Sequence, residues 1–104
     1  MRVEVLYLDG CPSHAALLPQ LQRLASEAGI EHIELRRVET PEAAVGERFL
    51  GSPTVRVDGV DVDPGAADRT DFGLKCRIYR SNGSVSPTPA DEWIRSALDG
   101  RARR

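Results

Sequence analysis

An α/β domain is predicted, with a four-stranded mixed sheet carrying helices on both faces in the order βαβαββα. Three features point to it. The chain opens on an apolar run without clean alternation, continues through segments of helical apolar spacing opened by prolines, and carries the hairpin dipeptide Asp58-Gly59 between two alternating stretches. At 104 residues the chain has surface enough for one core and too little for two, so a single domain over 1–100 is expected, with 101–104 as a tail.

Val3, Val5 and Tyr7, with the neighbouring Leu6 and Leu8, form the first strand; a nearly continuous apolar run without clean alternation suits a strand covered on both faces. After Cys11-Pro12, the residues Ala15, Leu18, Leu21, Ala25 and Ala28, joined by Leu17 and Leu24, recur at helical spacing up to Gly29. This predicts an amphipathic helix with Pro12 in its first turn, Gly29 as its stop, and a kink or break at Pro19, which removes one backbone hydrogen bond. His32 to Val38 reads as a second strand with Ile33, Leu35 and Arg37 on one face. Thr40-Pro41-Glu42 supplies an N-cap, a first-position proline and an early negative charge, predicting a short helix to Phe49 or Leu50. Thr54 to Val57 and Val60 to Val62 flank Asp58-Gly59 as a tight antiparallel hairpin. The stretch from Asp63 to Pro89 is rich in Gly, Pro, Ser and Asp and reads as a long loop, with a short strand or helical turn at Leu74 to Tyr79. Thr88-Pro89 opens a closing helix carried by Trp93, Ile94, Ala97 and Leu98.

Composition removes several classes of function. A net charge of −2 with 5% aromatic residues gives no basic surface for nucleic acid. Apolar runs of a few residues do not span a bilayer, and the start of the chain lacks a signal-peptide pattern, so a cytoplasmic protein is expected. Two cysteines do not make a disulfide scaffold, which leaves Cys11 and Cys76 as packing or as chemistry.

Right-handed crossovers make the first two strands parallel neighbours and place the first strand centrally, with Cys11 at its carboxyl end, where open α/β sheets collect their chemistry. A sulfur in the first turn of a helix faces unpaired N–H groups and the positive end of the macrodipole, which favours the thiolate. Cys11 is therefore a candidate nucleophile; the alternative is a packed helix cap. His14, one turn on, either tunes that thiol and moves its proton or faces solvent. His32 opens a strand and reads as surface. Asp61, Asp63, Asp68 and Asp71 lack calcium-loop spacing and read as a solvated face. Phe72 and Tyr79 suit either the site or the core.

Four features together resemble the thioredoxin-like superfamily, at glutaredoxin size: Val5 to His14 as a strand running into a cysteine at a helix start, Pro19 eight residues later, Ser52-Pro53-Thr54, and Gly59 in the hairpin after it. The resemblance covers the chain except about 64 to 88. Residues 72 to 79 also look like small proteins labelled thioredoxin family or alkylmercury lyase. The resemblance implies a thioredoxin fold, a cis-proline at Pro53, and a backbone at Ser52-Pro53-Thr54 that pairs with a substrate. It also implies a redox role for Cys11 on a thiol or disulfide, whether on a protein or on glutathione, without a cofactor.

This chain departs from the pattern. Cys11-Pro12-Ser13-His14 puts histidine where the family's second cysteine stands, so a local dithiol cycle is impossible. Val5 occupies the buried-acid position of thioredoxins, and the glutathione-binding Gly-Gly turn and Asp of glutaredoxins have no aligned counterpart, Asp63-Pro64-Gly65 being shifted. The hairpin returns the chain to the end of the sheet that carries Cys11, from where Cys76 is in reach as a distant resolving thiol. The alternative is that Cys76 fills space beside Leu74, Ile78 and Tyr79. Three readings follow: a thiol-disulfide oxidoreductase or thiol-dependent reductase using Cys11, His14 and Cys76; a binder of mercury, copper or zinc through the two cysteines; or a redox-inactive binding module.

Overall fold

The opening apolar run forms β1 (Val3–Tyr7), and a computed structural model describes its surroundings over residues 2–102, with the side chains of His14 and residues 100–102 outside that description. β1 lies parallel to β2 (Ile33–Arg37) and antiparallel to β3 (Thr54–Val57), which turns through Asp58-Gly59 into β4 (Val60–Asp61). Both turn residues have positive φ, +52° and +82°, as the tight hairpin requires. The sheet order is β2-β1-β3-β4, a four-stranded mixed sheet with β1 and β3 inside.

Alternation along β1 divides the core. Val3 and Val5 join Val55 and Val57 beneath α1 (Pro12–Glu27) and α3 (Asp91–Ala102), meeting Leu17, Leu21, Leu24, Ile94 and Leu98. Leu6 faces the other way, into a smaller cluster with Val38, Phe49 and Ala44 of α2 (Pro41–Gly46). Helices thus cover both faces. Glu4 also points to the α2 side and is 2% exposed; Arg36 (3.1 Å) and Arg2 (3.3 Å) pair with it, which is what a buried carboxylate requires.

Several expectations shift at their edges. α1 runs unbroken from Pro12 to Glu27 with Pro19 inside it, so the predicted break does not occur. Gly29 lies just past its end at φ +78°. α2 stops at Gly46, because Arg48 turns left-handed (φ +55°), and Phe49 and Leu50 drop into the core as loop residues. α3 continues to Ala102, two residues into the expected tail.

The segment from Asp63 to Pro89 is more ordered than its composition indicates. It contains a 3₁₀ turn at Ala66–Asp68 and a second hairpin, β5 (Tyr79–Ser81) with β6 (Ser84–Ser86), turning at Asn82-Gly83. Tyr79 anchors it, 1% exposed and edge-on to Trp93 of α3 at 6.3 Å. Gln20 of α1 donates to Asp91 (2.7 Å) and to the Pro89 carbonyl (2.8 Å), fixing the start of α3. Among the described residues no helix is long and apolar enough to cross a membrane.

Candidate functional site

Cys11 is the N-cap of α1, held where β1 ends by its own N–H donating to the Leu8 carbonyl (3.2 Å). The side chain is 5% exposed. Burial alone pushes a thiol pKa up, yet four donors converge on this sulfur: the Ser52 hydroxyl, the Ser13 N–H, the Ser13 hydroxyl and the Cys76 thiol. Together they outweigh burial, and Cys11 ionises below the ordinary thiol value. The Ser52 hydroxyl is aimed from behind, because Leu8 N–H donates to its oxygen at 3.0 Å and leaves the hydroxyl proton for the sulfur.

Cys76 shows the reciprocal effect. Negative charge at Cys11 raises its pKa first, its own donation to Cys11 raises it further, and burial adds a little. The two sulfurs titrate as a pair, with the proton retained on Cys76. Both cysteines are free thiols, Cys11 buried and Cys76 exposed.

What brings residue 76 to residue 11 is a short strand pairing with no counterpart in the sequence pattern. Ser52 N–H donates to the Lys75 carbonyl (2.8 Å), Arg77 N–H donates to the Ser52 carbonyl (2.9 Å), and Ser52 and Cys76 thereby form a parallel bridge. The Ser52–Pro53 peptide is cis. The backbone expected to receive a substrate is therefore occupied by the chain's own residues 75–77. Pro53 gives its carbonyl to the Tyr79 hydroxyl, and Thr54 is buried, donating to the Gly51 carbonyl (2.7 Å) and accepting from Arg77 (3.1 Å).

Arg77 seats this segment. Its guanidinium, with the side chain 1% exposed, meets Asp61 at 2.7 Å and Asp63 at 3.2 Å and lies 4.4 Å from the centre of the Tyr79 ring. Asp61 and Asp63 are therefore structural partners of a buried cation and not part of a solvated face. Asp71 is exposed and pairs with Arg69 and Lys75, while Asp68 is exposed. Phe72 lies under Arg48, 5.2 Å from the guanidinium carbon to the ring centre.

Of the residues singled out from sequence, Cys11, Cys76 and Ser52 come together, while Pro53 and Thr54 sit behind them in the fold. His14 lies within α1, but its side chain falls outside the described residues. Ser13, Gly51 and Arg77 were not anticipated. Ser13 stood in the Cys-Pro-Ser-His motif as a first-turn hydroxyl, a position from which such a group reaches back to the cap; Gly51 reads from sequence only as the stop of the short helix after Thr40, and Arg77 carries no local signal. Comparison with protein-family models, with curated proteins and with solved structures returns no match for this chain.

Proposed function

We propose that the chain is a thioredoxin-like thiol-disulfide oxidoreductase or thiol-dependent reductase in which Cys11 is the nucleophile and Cys76 the resolving thiol. The observation that carries this reading is the bridge between Ser52 and Cys76, which sets Cys76 beside the Cys11 cap of α1, where the two thiols shift each other's pKa in opposite directions. The fold assignment rests on sheet order β2-β1-β3-β4, helices on both faces and the cis Ser52–Pro53 peptide beside the helix-capping cysteine.

In this reading the Cys11 thiolate attacks one sulfur of a substrate disulfide. A Cys11–substrate disulfide forms and the other substrate sulfur leaves as a thiolate, taking a proton from solvent. Cys11 is then neutral, so the charge that held the proton on Cys76 is gone and Cys76 ionises more readily. Its thiolate attacks Cys11, forming the Cys11–Cys76 disulfide and releasing the second substrate thiol. The second nucleophile is thus armed by completion of the first step. Because residues 75–77 occupy the Ser52 backbone, a small thiol or disulfide suits the site better than an extended peptide. Free thiols of this kind suit a cytoplasmic setting.

Alkylation by iodoacetamide across pH tests the reading. An oxidoreductase requires Cys11 to react with a midpoint below that of free cysteine, about 8.5; two thiols with ordinary, equal midpoints would overturn it. The same adjacency favours a second reading, a soft ion held linearly between the two sulfurs. Among the described residues no group of three His, Cys, Asp or Glu side chains is placed to hold a metal. That reading requires stoichiometric ion uptake lost with either cysteine.

A further inference from the structure

The two thiols differ in access, and the difference has a direction. Cys11 is buried, whereas Cys76 is exposed and lines an open groove of about 440 Å³ that Cys11 does not reach. Four cations, Arg69, Lys75, Arg77 and Arg80, also line this groove, against one carboxylate, Asp63.

Arg77 is more than neutralised beneath the surface, where its one charge meets the two carboxylates of Asp61 and Asp63. The outer charges are not balanced in the same way. Arg69 and Lys75 share the single carboxylate of Asp71, at 2.7 and 2.8 Å, and Arg80 has no ion-pair partner among the described residues. Counting both carboxylates on Arg77, four cations of this cluster (Arg69, Lys75, Arg77 and Arg80) meet three carboxylates (Asp61, Asp63 and Asp71), a local charge of +1 carried at the rim by Arg80, on a chain whose net charge is −2. The exposed side chain of Ile78 adds an apolar surface to the same groove.

We propose that this groove is the docking site of an anionic low-molecular-weight thiol or disulfide, carrying carboxylate or phosphate, that exchanges at Cys76. The inference rests on the reading of Cys11 and Cys76 as a redox pair. The external thiolate attacks Sγ of Cys76 in the Cys11–Cys76 disulfide; that bond breaks, and Cys11 departs as the thiolate its four donors stabilise, which makes it the better leaving group. A second anionic thiolate attacks the incoming sulfur of the mixed disulfide, giving the symmetric external disulfide and Cys76 thiolate, which takes a proton from solvent. Two electrons pass from two external thiols to the protein. Substrate oxidation state is thus handled at Cys11 and electron supply at Cys76, on two sides of one sulfur pair.

The test uses three symmetric disulfides of similar size: 3,3′-dithiodipropionate (dianionic), bis(2-hydroxyethyl) disulfide (neutral) and cystamine (dicationic). Each is reacted with the reduced Cys11→Ser chain, and mixed-disulfide formation at Cys76 is followed by mass spectrometry. Each rate is divided by that of the same disulfide with a small neutral thiol. The same labelling in Cys11→Ala, localised by peptide mapping, provides the measurement if the serine variant folds poorly. A preference of about tenfold or more for the dianion over the neutral probe is expected, as is typical of a cationic cleft. It should shrink in Arg80→Ala and Lys75→Ala and fall with salt. Phosphate-bearing and carboxylate-bearing small anions, added as competitors, identify which group the groove prefers. Equal normalised rates for the three charges, or a preference untouched by both substitutions, would overturn the site. Failure of the redox-pair reading is seen separately, as absence of a Cys11–Cys76 link after peroxide.

Discussion

A Cβ at Gly51 would stand 2.9 Å from the Cβ of Arg77 and 3.1 Å from the Lys75 carbonyl, so the segment carrying Cys76 can lie against Ser52 only because residue 51 has no side chain. Its φ of +127° adds a second reason, since L side chains rarely adopt it. Gly51→Ala is expected to cost about 1–3 kcal/mol and to loosen residues 75–77, making Cys11 more accessible. Urea denaturation and alkylation of Cys11 measure both; unchanged stability and access would mean that the segment is seated by other means.

Arg77 is the electrostatic counterpart of that seat. Arg77→Met leaves Asp61 and Asp63 without their cation, and breaking a buried pair from one side costs about 3–5 kcal/mol. Arg77→Lys should recover only part, since one ammonium cannot reproduce a fork that reaches Thr54, Asp61 and Asp63. The Arg77 Nε–H is buried without a partner, so the clamp contributes less than its bond count implies. Paired denaturation curves of the two variants test the order.

Ser52→Ala removes the hydroxyl that both donates to Cys11 and accepts from Leu8 N–H. Loss of that donor raises the Cys11 pKa, so less thiolate is present at neutral pH and the alkylation midpoint moves to higher pH. The orphaned Leu8 N–H costs about 1–3 kcal/mol of stability. A fall in stability with an unmoved midpoint would show that the hydroxyl is structural only.

Much of this architecture was legible in the sequence, and the exceptions have physical causes. Cys11 at a helix start, the Asp58-Gly59 hairpin and the capped helices follow from local rules acting within a few residues. The hairpin at Asn82-Gly83 carried the same turn signal, but its strands, Tyr-Arg-Ser and Ser-Val-Ser, are too short and polar to show a period. The burial of Glu4 had no local signal, because its partner Arg36 comes from β2, 32 residues away. Asp61 and Asp63 resembled surface charge for the same reason: the cation that buries them, Arg77, lies 16 and 14 residues further on. The meeting of Cys76 with Cys11 was within reach of topology, whereas the bridge to Ser52 that enforces it depends on Gly51 and Arg77 together.

The two thiols should report on each other. Negative charge at Cys11 is the largest cause holding the Cys76 pKa up, so Cys11→Ser should lower the Cys76 midpoint toward that of free cysteine. Conversely, Cys76→Ala removes a donor from Cys11 and should raise the Cys11 midpoint. Opposite movements in the two variants, read by pH-dependent alkylation, are expected; midpoints that ignore the partner would separate the thiols electrostatically.

The central claim is that Cys11 and Cys76 act as one redox pair, and peroxide titration followed by peptide mass spectrometry tests it most directly. One equivalent of oxidant should yield a Cys11–Cys76 disulfide in the wild-type chain, reversible by thiols and absent from Cys11→Ser and Cys76→Ser. Independent oxidation of the two sulfurs, with no internal link at any oxidant ratio, would contradict the account.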